Sequence, residues 1–393
     1  MAKLLFFITE DWYFWSHRLP IARAAREQGF AVHLATRVQD HGQRIVNEGI
    51  HLHPLALRRR SARLGQELAT LRQLLTLYRR ERPDIVHHVA LKPILYGSLA
   101  ARLAGVPGVV NALAGLGHLF IAGTPRARLG RRLVSLFFRL AFAPPGCRVL
   151  FQNDEDRQLL VAMGVVAAGK TVLIRGSGVD TRRFRPAVGP APGIPRVILA
   201  SRMLWDKGIG ELVDAARILK ARGVAGEILV AGRLDEENPA AIPERTLRSW
   251  HEEGIITWLG FRQDIPELLA SCQVAVLPSY REGLPKGLLE AAACGLPLVA
   301  TDVPGCREVV REGENGFLVP ARESLPLAER LERLLTDEPL RQRQGQASRR
   351  LAEQEFAVGR VVGETLALYR RMLASQAGGQ GRPTPGPGQT GGR

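Results

Sequence analysis

The sequence predicts an α/β protein of two doubly wound, Rossmann-like domains facing a central cleft, and three observations predict it. Short β-branched or apolar runs alternate with helical patterns along the whole chain, the signature of parallel sheets covered by helices. The alternation restarts after a proline-rich stretch containing Pro186, Pro190, Pro192 and Pro195. The chain has 393 residues, 46% of them hydrophobic, enough for two or three cores at roughly 100–200 residues each. A peptide module or a disordered chain is thereby excluded.

In the first half the expected strands are Leu4–Ile8, Ala31–Ala35, Ile85–Val89, Val109–Leu113, Val149–Gln152 and Thr171–Ile174, with helices near 17–28, 64–81, 94–104, 128–142 and 155–163. The second half gives strands Arg196–Ala200, Glu227–Ala231, Ile256–Leu259, Val274–Pro278 and Leu298–Thr301, with helices near 207–222, 265–271, 286–294 and 325–335. The domains follow: 1–185, a linker over 186–195, then 196–357. A last helix over 358–376 is expected to cross back to the first domain. Residues 377–393 hold seven Gly and three Pro among 17 positions, too little apolar content to pack, and are expected to be a disordered tail.

Charge divides the halves. Residues 1–190 carry 28 Lys/Arg against 12 Asp/Glu, a net of +16, whereas residues 191–393 carry 26 of each. Leu129, Leu133, Leu136, Phe137 and Leu140 mark one face of the expected helix at 128–142, with Arg128, Arg131, Arg132 and Arg139 beside it. Such a helix either lies on anionic lipid, helped by Arg58-Arg59-Arg60, or packs on the sheet with solvated arginines. No nucleic-acid pattern accompanies the charge: the basic stretches lack interleaved aromatics, zinc-finger spacing or a basic zipper. Cys147, Cys272, Cys294 and Cys306 are scattered, which fits neither a disulfide framework nor a zinc site. No apolar run approaches the roughly 18 residues of a membrane span, and Leu4–Ile8 is too short for a secretory core, so a cytoplasmic protein is expected.

Two strand ends carry the chemistry. No G-x-G-x-x-G follows a strand and no phosphate-binding P-loop occurs, which argues against nicotinamide and P-loop nucleotides. From Val274 to Thr301, a strand runs into Tyr280-Arg281-Glu282-Gly283-Leu284-Pro285-Lys286-Gly287 and then a helix. Free N–H groups at that helix start, with Gly283 and Gly287 permitting close approach, suit a diphosphate. Glu290 lies one turn further on the same face as Lys286, and Glu282 precedes the turn; both carboxylates suit hydroxyl groups. The strand Arg196–Ala200 similarly runs into Ser201–Gly208, which aims Arg202 and Lys207 at the same cleft, a fork and a point charge for a leaving diphosphate.

The combination of EGLPKGLLEAAACGLPLVAT (282–301), SRMLWDKG (201–208) and GVDTRRFRP (178–186) resembles the retaining nucleotide-sugar glycosyltransferases of family 4, which have the GT-B fold. The resemblance covers the chain except its tail. EDWYFWSHRLPIA (10–22), HHVALKPILYG (87–97) and NALAGLGHLF (111–120) look like a bacterial subset that builds polysaccharide or lipid-linked oligosaccharide. The resemblance implies that Arg202 and Lys207 hold the donor diphosphate, Glu290 the ribose and Glu282 the transferred sugar, with Gly283, Leu284, Pro285, Lys286 and Gly287 beside it. It implies a UDP-linked donor, no metal and no further cofactor. The family's first-loop glycine pair is absent: Thr9–Trp15, read as a loop, leads to Ser16-His17-Arg18, so His17 becomes a candidate phosphate or acceptor contact. His87 and His88 close the strand Ile85–Val89, where relatives carry a histidine near the sugar. Ser16, His88, Lys92, Gly115 and Gly117 are assigned to the acceptor side. Asp154-Glu155-Asp156 matches a metal-binding D-x-D pattern but opens a helix, where acids cap N–H groups, and is not read as a metal site.

The expected partners are a nucleotide sugar, a lipid-diphosphate-linked acceptor and an anionic membrane surface on the inner face of the cytoplasmic membrane. Two rivals differ in class. A nucleotide-sugar epimerase or hydrolase would consume the donor without acceptor, and a non-enzymatic basic membrane binder would survive replacement of Glu282 and Glu290.

Overall fold

The computed structural model describes residues 1–57, 64–116, 125–187 and 193–379. Arg58-Arg59-Arg60, Gly117, part of the linker and the tail from 380 onward lie outside the described residues; 377–379, expected in the tail, close the last helix.

Two all-parallel sheets form the frame. The first contains β1 (Lys3–Glu10), β2 (Ala31–Arg37), β3 (His51–Pro54), β4 (Ile85–Val89), β5 (Gly108–Leu113), β6 (Cys147–Phe151) and β7 (Thr171–Leu173), in the order β3-β2-β1-β4-β5-β6-β7. The second contains β8 (Arg196–Ala200), β9 (Glu227–Ala231), β10 (Thr257–Trp258), β11 (Val274–Leu277), β12 (Leu298–Thr301) and β13 (Gly316–Val319), in the order β10-β9-β8-β11-β12-β13. In each, the order reverses beside the first strand, which opens a crevice at the carboxyl ends of β1/β4 and β8/β11. The two crevices face each other.

Helices cover both faces. Those following the first-sheet strands are α1 (Asp11–His17), α2 (Leu19–Glu27), α3 (Gly42–Asn47), α4 (Leu64–Glu81), α5 (Leu91–Ala104), α6 (Pro125–Phe142) and α7 (Asp154–Ala162). The second set is α8 (Ile209–Ala221), α9 (Glu244–Glu252), α10 (Ile265–Ala270), α11 (Lys286–Ala293), α12 (Pro304–Arg307), α13 (Ser324–Thr336), α14 (Glu338–Glu355) and α15 (Val358–Gly379). Burial every three or four residues explains their seating: Ile209, Leu212, Val213, Ala216 and Leu219 form the inner stripe of α8. The helix α15 turns its own stripe, Val361, Leu368, Tyr369 and Met372, into the core of the first sheet rather than the second. It gets there beside the outgoing chain, where Val179 and Ala357 form an isolated parallel bridge and Val358 N–H donates to the Val179 carbonyl at 2.9 Å.

Seven elements are additional to those expected: α1, α3, β3, α9, α12, β13 and α14. The polar helix α14 buries Gln344, Gly345, Ala347 and Ser348 along with leucines, so it has no apolar stripe to read. The segment read as a loop, Thr9–Trp15, is largely helical. Buried Asp11 organises it by accepting hydrogen bonds from the Trp12, Gln39 and His41 N–H groups at 2.7–2.9 Å.

Candidate functional site

A cleft of about 560 Å³ lies between the two crevices, within the range of small-molecule sites. Its second-domain wall is built from two strand-to-helix turns. After β8 the chain sets Arg202 against Asp235, Nη1 to Oδ2 2.7 Å, and a short 3₁₀ turn delivers Lys207. Gly208 then starts α8 with φ of +69°, pressed on the Pro278 carbonyl. After β11 the chain delivers Glu282, which forms an ion pair with Lys207; both side chains are largely buried. Gly283, Leu284, Pro285, Lys286 and Gly287 line the cleft at the N-terminus of α11. Glu290 sits one turn deeper, 3.3 Å from Lys286 Nζ. Three cations and two carboxylates from distant positions thus converge on one helix start.

The first-domain wall comes from α1 and the end of β4. Lys286 Nζ spans the cleft to donate to the Ser16 carbonyl at 2.6 Å. His17 lines the cleft, stacked on Tyr13 with ring centroids 4.1 Å apart, its Nδ1 2.6 Å from Ser16 Oγ. Burial, reinforced by Lys286, Arg18 and Arg202, holds its pKa well below the ordinary histidine value, so the ring is neutral at pH 7. The Ser16 hydroxyl itself turns back to the Trp12 carbonyl, which leaves its backbone as the cleft-facing part. Lys92 lines the cleft and pairs with Glu67 at 3.0 Å. Ala90 takes φ +79° and ψ 168°, a glycine-like conformation that turns β4 into α5 at the cleft edge.

Residues 194–337 match the family described as Glycosyl transferases group 1, and residues 3–143 match Glycosyl transferase 4-like. EpsD of Bacillus subtilis strain 168, whose name assigns it to the glycosyltransferases, is 31% identical over 382 residues, 93% of this chain and 96% of that protein. The chain belongs to the family 4-like, group 1 glycosyltransferases. The N,N'-diacetylbacillosaminyl-diphospho-undecaprenol alpha-1,3-N-acetylgalactosaminyltransferase of Campylobacter jejuni is 29% identical over 336 residues, 82% of this chain and 87% of that one. Among solved structures, Anabaena HepE in complex with UDP and glucose has a TM-score of 0.76 at 19% identity, covering 94% of this chain and all of that one. Sucrose-phosphate synthase from Thermosynechococcus elongatus scores 0.79 at 19% identity over 95% of this chain and all of that one. These neighbours establish the GT-B fold of the glycosyltransferase.

Against that geometry, two histidine assignments are corrected. His87 and His88 are buried within the first sheet, on opposite faces, and neither lines the cleft. His87 Nδ1 lies 2.5 Å from the Tyr369 hydroxyl of α15 and its ring stacks on Phe6. His88 Nδ1–H donates to Asn111 Oδ1 at 2.8 Å, and its Nε2 accepts from the Tyr78 hydroxyl at 3.1 Å. Both rings tie helices to the sheet. Gly115, with φ of +115°, packs on cleft-lining Gly283, where an added Cβ would lie 3.2 Å from the Gly283 Cα, so it also joins the domains.

Sequence reasoning missed Asp235, the partner of Arg202, and Ala90. Asp235 sits in a loop with no motif, and nothing in an alanine announces a positive φ. Asp154-Glu155-Asp156 does open a helix, α7, capped by Asn153. Among the described residues the group with metal-ligand spacing is His33, His53 and Glu81, on β2, β3 and α4. There His33 Nδ1 and His53 Nε2 are 3.0 Å apart, and Glu81 already pairs with Lys3 and Arg80.

Proposed function

We propose that this glycosyltransferase moves a hexose or N-acetylhexosamine from a UDP-sugar to a hydroxyl of a lipid-diphosphate-linked saccharide, with retained anomeric configuration and without a metal or further cofactor. The observation that carries the reading is the convergence of Arg202, Lys207, Lys286 and Glu282 on the cleft lining, with Glu290 paired to Lys286 one turn further along α11. The names of the Campylobacter relative and of an Escherichia coli galactosyltransferase, 28% identical over 293 residues, both specify diphosphoundecaprenol-linked acceptors, and HepE was solved with UDP-glucose.

In the reaction the bond from the sugar anomeric carbon to the diphosphate oxygen breaks as the bond to the acceptor oxygen forms on the same face. The acceptor proton passes to the departing diphosphate. Negative charge grows on that diphosphate, and Arg202, Lys207, Lys286 and the α11 N–H groups stabilise it more in the transition state than in the ground state. Arg and Lys thereby supply the charge neutralisation that a divalent ion supplies elsewhere. Glu282 holds sugar hydroxyls and Glu290 the ribose. Neutral His17 offers a hydrogen bond without adding charge.

The membrane-facing part of the proposal rests on α6. Its apolar residues Leu133, Leu136, Phe137 and Leu140 are each 51–55% exposed, while Phe138 and Phe142 face the core. Neighbouring α5 exposes Leu99 and Leu103. Arg132 is exposed beside them, whereas Arg139 caps the Met163 and Gly164 carbonyls. An apolar stripe turned outward on a domain of net +16 suits the surface of anionic lipid on the cytoplasmic side. No helix among the described residues is long and apolar enough to cross a membrane.

The test of the donor site is the thermal shift of wild type and Glu290→Ala with UDP, GDP and their sugars. A ligand at about a hundred times its Kd adds roughly 2.7 kcal/mol, and the UDP-sugar shift should vanish in the variant. Equal shifts in both proteins would refute the assignment. UDP release in the absence of lipid acceptor would favour a hydrolase.

A further inference from the structure

The run Asn153-Asp154-Glu155-Asp156, which resembles a metal-binding motif, contacts the second domain instead. Asn153 is 1% exposed; its Oδ1 accepts from Asp156 N–H at 2.8 Å and caps α7, while its Nδ2 donates across the domain boundary to the Gly283 carbonyl at 2.8 Å. Asp156, 3% exposed, forms an ion pair with Arg281 and also accepts from Asn153 Nδ2 at 3.1 Å. The residues gripped are 281 and 283. Between them stands Glu282, the carboxylate paired with Lys207 in the cleft.

The packing leaves that loop little freedom. Gly115 touches Gly283 from the first domain, and a Cβ added at Gly305 would come 2.6 Å from the Gly283 carbonyl on the second. Around it, Glu155 pairs with Arg307 at 2.8 Å on the exposed rim, where an ion pair contributes little. The buried contacts differ: loss of either partner of Asp156–Arg281 leaves a charge without compensation in a low-dielectric site.

We infer that Asn153 and Asp156 are positioning residues that clasp the loop 281–283 and so set Glu282 in its transfer-competent place only when the two domains are closed. This deepens the proposed glycosyl transfer and rests on it. Contacts to the transferred sugar become conditional on a surface of the other domain, while Arg202, Lys207 and Glu290 are paired within the second, and Lys286 reaches the first at the Ser16 carbonyl, outside the clasp. Nucleotide binding is therefore independent of the clasp, and sugar orientation is not. Such coupling commits the donor to reaction only in a closed, water-poor cleft.

The experiment uses Asn153→Ser, which keeps a good helix cap but cannot reach Gly283, together with Asp156→Asn. Hydrogen exchange at amides 281–284 is expected to rise at least tenfold in Asn153→Ser while exchange in β8 and β11 stays unchanged. UDP affinity, measured by calorimetry, should change less than twofold. UDP release in the presence of lipid-linked acceptor, with UDP-glucose, UDP-galactose and their N-acetylated counterparts as probes, should fall at least tenfold in kcat. Unaltered exchange at 281–284 overturns the clasp, and so does a loss of UDP affinity as large as the loss of kcat. A wild type that binds no UDP removes the donor reading instead, and the exchange result then decides the clasp alone.

Discussion

The two domains share one architecture and use it differently. In the second, residues 196–357 carry 21 Lys/Arg against 25 Asp/Glu, a net of −4, and present their chemistry on two short turns, 201–208 and 282–290, each leading a strand end into a helix start. In the first, a net charge of +16 is spread over the surface, while the cleft wall combines aromatic rings, a neutral histidine and backbone carbonyls with one acid and one base, Glu10 and Lys92, whose charges offset. The same crevice can therefore be a charge cradle or a shaped, nearly neutral wall. A leaving diphosphate needs cations close by; an acceptor hydroxyl needs placement.

Three measurements break or sharpen that contrast. The largest effect is expected at Lys207, because Lys207→Ala withdraws a cation from the diphosphate and orphans Glu282 in a largely buried place. Turnover should fall by about 10³, or about 4 kcal/mol, with donor affinity far less affected. A variant that loses affinity and turnover in equal proportion would mean that the cradle serves binding alone.

The next effect belongs to the first domain and appears as acid sensitivity. Burial pushes the His88 pKa down to about 4 against the ordinary value of 6.5, and His87 and His17 are shifted the same way, chiefly by burial. Below pH 6.5 the unfolded chain takes up protons that the folded chain refuses. Stability from these groups is thus present above about 6.5 and lost as pH falls toward 4, on the order of 3 kcal/mol from His88 alone. Urea unfolding between pH 7 and 4.5 should show the decline, and replacing His88 should flatten it. A profile unchanged by that replacement contradicts the assignment.

The smallest effect separates the two kinds of histidine. Tyr369→Phe removes the hydroxyl beside His87 and should cost about 1–2 kcal/mol in stability with turnover per folded molecule intact. His17→Ala should do the reverse. If Tyr369→Phe instead lowers turnover at full stability, His87 acts on the cleft through α15.

That separation also explains what the sequence discloses. The cleft positions of Arg202, Lys207 and Glu282 were legible because each lies on the turn that follows a strand end, so local order dictates where it stands. His87 and His88 lie in a strand, and alternation sends them to opposite layers; which layer meets the cleft depends on α15, nearly three hundred residues away. The pairing of Arg202 with Asp235 and the contact of Gly115 with Gly283 are likewise products of tertiary approach. The outward face of α6 was readable as apolar, but its direction follows from Phe138 and Phe142 claiming the inner side. Elements such as α14 escaped because small and polar side chains do its packing.

The return of α15 to the first sheet has a mechanical consequence. The chain passes between domains twice, and the two passes run side by side where Val179 pairs with Ala357. Two adjacent parallel tethers resist twisting and sliding far better than one, yet both bend along the same line. A double-leaf hinge of this kind confines any opening of the cleft to bending across the Val179–Ala357 line, so that reclosure returns the same edge of the donor turn to the same place on the opposite wall.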